Sequence, residues 1–98
     1  MLWFFKLHPP RPSFAQDLTP AEAALMQSHA AYWMGHMQQG RVVVFGLVGD
    51  AAAAYGVGIM DLAADIDPHP LGADDPVIRA DVGFRYEIHP MPRAVARP

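Results

Sequence analysis

Histidine is the side chain whose charge changes nearest neutral pH, and this chain carries five histidines and no cysteine. His29 is the one best placed to move a proton. It lies in a segment of helical spacing in which Leu25, His29, Tyr32 and His36 share one side. The neighbouring arc, Met26, Ala30, Trp33 and Met37, reads as core. His29 thus sits at the border of the buried face among aromatic rings. Partial desolvation there suits a general acid or base, provided an acceptor fixes the ring tautomer. The plainer reading is a histidine hydrogen-bonded inside the core.

Acceptors are available. Asp61, Asp65, Asp67, Asp74 and Asp75 crowd the second half of the chain. Most such residues form turns or cap helices, Asp74 and Asp75 before Pro76 above all. A carboxylate on a second helix lying beside the first would also reach it and complete a His–Asp pair. Arg11 and Phe14 occupy the connection before the first helix, where the arginine is either solvated or free to hold an anionic group. No metal site is expected, since His29 and His36 stand two turns and roughly 10 Å apart. Gly56 and Gly58 lie within a strand rather than a phosphate loop, which suggests close helix packing or room for a ligand.

The elements that must position these residues are legible from punctuation. Leu2 to Leu7 is an aromatic-rich strand stopped at Pro9-Pro10, and Pro9 to Asp17 reads as a stiff, extended connection. Thr19-Pro20-Ala21-Glu22 starts a helix with a capping box and proline at the first position. The helix runs to about Gln39, and Gly40 is its left-handed stop. Arg41 to Val48 and Tyr55 to Leu62 form a hairpin. The proline-rich Asp65 to Pro76 allows only a short second helix, from Asp74-Asp75-Pro76 to Asp81. Gly83 to His89 alternates as a last strand, and residues 90–98 read as an extended tail.

The resulting β-α-β-β-α-β order is the ferredoxin-like arrangement, an α+β fold with a four-stranded antiparallel sheet and two helices on one face. Leu2-Trp3-Phe4-Phe5 and Val42-Val43-Val44-Phe45 are apolar at consecutive positions, so both faces of these strands call for burial. Two helices cover one face. The expected cover for the other is a second copy, giving a homodimer by sheet-to-sheet packing.

Length and composition bound the rest. The 98 residues, 52% hydrophobic, fit one domain spanning 1–98. A net charge of −3 gives no nucleic-acid footprint, and no apolar run is long enough for a membrane span. The N-terminal apolar run is too short for a secretory signal, which makes cytoplasmic location the default expectation.

Several stretches together resemble the YCII-related family of the dimeric α+β-barrel superfamily. They are residues 8–14 (HPPRPSF), 29–33 (HAAYW), 40–46 (GRVVVFG), 74–80 (DDPVIRA) and 84–91 (FRYEIHPM). The resemblance implies a dimer with a cleft beside each sheet and a catalytic pair made of His29 and Asp75. Some members carry out elimination or isomerisation on small cyclic compounds. This chain departs from the family at Asp65 to Gly72, where prolines replace an alanine- and glutamate-rich helix.

The expected function is therefore acid–base catalysis of lyase or isomerase type on a small cyclic molecule, with no cofactor. Asp75 orients His29, and Arg11 holds an anionic group. Phe14, Tyr32, Trp33 and Phe45 contact the ligand and exclude water. The competing expectations are a non-catalytic small-molecule-binding or assembly module and a cofactor-free monooxygenase. A His29 nitrogen within hydrogen-bond reach of Asp75 and opening on a pocket favours chemistry, whereas Asp75 spent as a helix cap favours the module.

Overall fold

The structure, a computed structural model, describes residues 1–98. Its elements are β1 (Leu2–His8), α1 (Phe14–Asp17), α2 (Pro20–Gln38), β2 (Val42–Val48), β3 (Tyr55–Asp61), α3 (His69–Ala73), α4 (Pro76–Arg79) and β4 (Arg85–Met91). The strands form one antiparallel sheet in the order β2-β3-β1-β4. This is the ferredoxin-like α+β topology, with the first and third strands central. No helix is long and apolar enough to cross a membrane.

The capping box forms as the sequence suggests. The Thr19 side chain accepts from the Glu22 N–H, and the Glu22 carboxylate accepts from the Thr19 N–H. Gly40, at φ 77°, turns the chain out of α2.

Three boundaries differ from expectation. The connection before α2 is not extended throughout, because α1 forms one turn there. Asp17 ties that turn by accepting from the Ser13 hydroxyl at 2.6 Å, and Phe14 anchors it edge-on to Phe84, ring centres 5.2 Å apart. The second helix is broken into α3 and α4. Pro76 biases the residue before it toward extended backbone, and Asp75 takes φ −59° and ψ 133°. The last strand starts two residues late and ends two residues late. Asp81 and Gly83 turn with positive φ, and Pro90 is tolerated because β4 is an edge strand. Only residues after Met91 lie beyond the sheet.

Strand alternation divides the sheet into two faces. Trp3, Phe5, Leu7, Met60, Tyr86 and Ile88 point toward the helices, and Phe4, Val44, Val57, Ile59 and Met91 point away. A bulge at Val43 leaves both Val43 and Val44 more than half exposed. The core sits on the helix side around Trp33, which is fully buried and stacked on Phe5 at 4.6 Å. Phe5 also lies across Gly58 on the neighbouring strand, where a Cβ would meet its ring at 2.2 Å. The missing side chain at Gly58 thus makes room for a cross-strand ring, not for a helix or a ligand.

Gly58→Ala should accordingly cost about 2 kcal/mol by forcing Phe5 off Trp33. Urea denaturation reads the loss, and Gly35→Ala, where nothing lies within 4 Å of the added carbon, is the matched control.

Candidate functional site

The centre of the site is a carboxylate without solvent. Asp75 has 0% relative exposure, yet every hydrogen-bonding direction it needs is supplied. Because Pro76 holds it extended at the start of α4, Oδ1 accepts from the Val77 N–H at 3.0 Å as an N-cap. Oδ2 points the other way, toward α2 and the sheet. It accepts from the Trp33 indole N–H at 2.8 Å and from the Tyr86 hydroxyl at 2.5 Å, and it meets His29 Nδ1 at 2.7 Å.

Four donors on one buried carboxylate make it a strong anion. Burial alone would push its pKa up, but the hydrogen bonds from His29 and Tyr86 outweigh burial and hold the group below the usual carboxylate range. The same anion acts on its neighbours. Burial, reinforced by Asp75, drives the Tyr86 phenol far up, so it stays protonated, donating to Asp75 while its oxygen accepts from the Trp33 indole N–H at 2.9 Å. Tyr32 is pushed up to about 12, first by burial and then by Asp74 and Asp75.

With Nδ1 engaged by an anion, His29 carries its proton there and presents Nε2 as the free position. No protein group bonds Nε2, and it is not a buried orphan, so it retains access. The side chain is 13% exposed and lines a partly open cavity of about 390 Å³. That cavity lies between the sheet, α1 and the first half of α2. Fourteen of its eighteen lining residues are hydrophobic, among them Phe5, Phe14, Phe45, Phe84, Met26 and Leu47.

The other sequence candidates divide. Phe14 and Phe45 line this cavity. Trp33 does not, because its ring is core and its N–H supports Asp75. Tyr32 also lies outside the lining, and its hydroxyl donates to the Leu71 carbonyl at 2.6 Å, tying α2 to α3. Arg11 is turned away from the cavity. Its guanidinium takes Glu22 in a two-pronged pair, 2.8 Å on each arm, and also donates to Asp17 at 2.8 Å. Those bonds hold Arg11 firmly charged, and Arg11 with the Thr19 N–H lowers the Glu22 carboxyl to about 2.

Tyr86 is the site residue that sequence reasoning missed. The signal was present: a tyrosine on the inward face of an alternating strand needs a partner for its hydroxyl.

Fold and site together define a ferredoxin-like domain with a buried carboxylate–imidazole pair at the wall of an apolar cavity. No protein-family model and no curated protein matches the chain. Among solved structures it is similar to a formyltetrahydrofolate deformylase from Pseudomonas putida KT2440, at 11% identity and a TM-score of 0.50. The match covers 93% of this chain and 29% of that one, so the chain spans under a third of that protein's length. The likeness is one of fold.

Asp75→Asn should destabilise the protein by about 3 kcal/mol at pH 7, because an amide nitrogen cannot accept from Trp33 and Tyr86. The folded pKa is depressed, so the stability Asp75 lends is present above about pH 4 and is lost as pH falls through the folded value. Urea midpoints of both chains should therefore converge as the pH falls below about 4. A gap that stays constant would contradict this origin.

Proposed function

We propose that the protein is an acid–base enzyme of lyase or isomerase type whose own side chains move the proton. The carrying observation is the 2.7 Å bond between Asp75 and His29 Nδ1, with Nε2 left unpartnered beside the cavity. Asp75 fixes the tautomer and stabilises the imidazolium. Nε2 abstracts a proton from a bound carbon acid and returns it at a neighbouring position or to a leaving group. Apolar walls exclude water while the charge is on the ring. The resemblance of this chain to the YCII-related family supports the same reading.

Asp75 also caps α4, and that observation favours the second reading, a binding or assembly module in which the pair is structural. One cap bond occupies one oxygen only. The other oxygen is committed to His29, Trp33 and Tyr86, which the cap does not require.

Deuterium uptake from D2O by a panel of cyclic enolisable ketones and lactones separates the two. His29→Ala should slow the protein-catalysed exchange by about 10²- to 10⁴-fold. Exchange untouched by that substitution, or absent from every compound, would remove the enzyme reading.

The reading includes a homodimer. The face bearing Phe4, Val44, Ile59 and Met91 carries no helix, and Val43 and Val44 are 56% and 54% exposed. A second copy packed sheet to sheet buries that face in both chains. Sedimentation at micromolar protein should show two chains together, and Ile59→Glu should separate them into folded single chains. A folded monomer of the unaltered protein at that concentration would refute the dimer.

A further inference from the structure

We propose that the ligand of the His29 cavity is an uncharged, largely apolar ring compound carrying one hydrogen-bonding group, and not an anion. This deepens the acid–base reading and rests on it only for the role of His29.

Electrostatics sets the charge that the cavity accepts. A cavity of about 390 Å³ is of the size that encloses a drug-sized molecule, and such a molecule gives up most of its water on entry. An anion then needs a cation or several donors in exchange. Lys6 and Arg85 each stand between two lining residues, but strand alternation turns both to the opposite sheet face, Lys6 over the Tyr55 ring at 4.2 Å. Arg11, on the connection beside the cavity, is already taken by Glu22 and Asp17. None of the three lines the cavity.

The imidazole does not change the balance. If His29 takes up a second proton, its positive charge faces the buried anion of Asp75 at 2.7 Å, so the pair as a whole is neutral. The Tyr86 hydroxyl is spent on Asp75. The cavity therefore offers one polar contact, Nε2, which accepts an O–H or an acidic C–H. Its walls are aromatic on several sides, from Phe5, Phe14, Phe45 and Phe84, and they complement a flat ring by offset and edge-on packing.

Three probes of one shape test this at pH 7 by equilibrium dialysis against the full chain. They are naphthalene, 2-naphthol and 2-naphthoate. The expected order is 2-naphthol tightest, naphthalene next, and 2-naphthoate weaker than 2-naphthol by about tenfold or more. Ala30→Phe, on the cavity wall and away from Asp75, should abolish binding of all three. His29→Gln should leave naphthalene bound and remove the advantage of 2-naphthol.

A preference for 2-naphthoate overturns the proposal, as does failure of all three to bind. Binding that fades as protein concentration rises assigns the cavity to a second copy of the chain and overturns it as well. The naphthalene arm does not depend on catalysis. Neutral-probe binding in a protein whose D2O exchange ignores His29 keeps this proposal and removes the acid–base reading. His29-dependent exchange with 2-naphthoate preferred does the reverse.

Discussion

A carboxylate taken fully out of water dictates much of this structure. Moving such an ion into the interior carries a penalty of several kcal/mol unless donors replace the lost solvent. Asp75 recovers its solvation from four groups on three elements: Val77 of α4, His29 and Trp33 of α2, and Tyr86 of β4. α2 is far from the other two in sequence, and the Trp33 indole N–H reaches Tyr86 as well as Asp75, so the three elements meet in one hydrogen-bonded cluster. The anion thus fixes α4 against α2 and both against the sheet edge. It also satisfies two hydroxyl- and indole-type donors that would otherwise be buried without partners.

The Asp-Pro step makes this possible with few residues. Proline at the first helical position sacrifices no hydrogen bond and holds its predecessor extended. An aspartate in that conformation caps with one oxygen and projects the other outward from the helix end. A glutamate would carry its carboxylate a bond further and lose the cap. Breaking the second helix before Pro76 is therefore not damage from a proline-rich stretch. It places the carboxylate at the start of α4, where it meets His29 and Trp33 in the middle of α2.

Where the chemistry is local, it was legible in the sequence. Thr19-Pro20-Ala21-Glu22 announced α2, and the succession of strands followed from the runs that begin at Leu2, Arg41, Tyr55 and Gly83. The spacing of His29 and Trp33 on adjacent arcs placed one at the border and the other in the core. What could not be read depends on where side chains turn. Nothing in the spacing of Arg11 shows that the capping-box glutamate will serve both Thr19 and the guanidinium, so Arg11 looked available for a ligand and is not. Trp33 was legible as a large ring but not as a donor, because its partner comes from 42 residues away. The one-turn α1 was hidden because its signals, Ser13 to Asp17 and a buried Phe14, are side-chain bonds within a segment that prolines make look extended.

The cavity itself follows from how volume is distributed along the helix-facing side. At one end of α2, Trp33 is matched with Phe5, Met60 and Val42, and these large groups close-pack. At the other end the facing positions are small. Ala30 on α2, Ala15 on α1, Ala54 before β3 and Gly56 on β3 all line the hollow. Alanine on both the inner and outer sides of α2 also blurs the helix's apolar stripe. The same residues that weaken the sequence signature of an amphipathic helix leave the space beneath it unfilled. His29 stands at the boundary between the two regimes, braced from the packed side by Asp75 and open on the unpacked side. A larger residue at Ala30 would extend the core and leave the imidazole with no free position. The site exists because close packing stops one turn short of the start of the helix's second half.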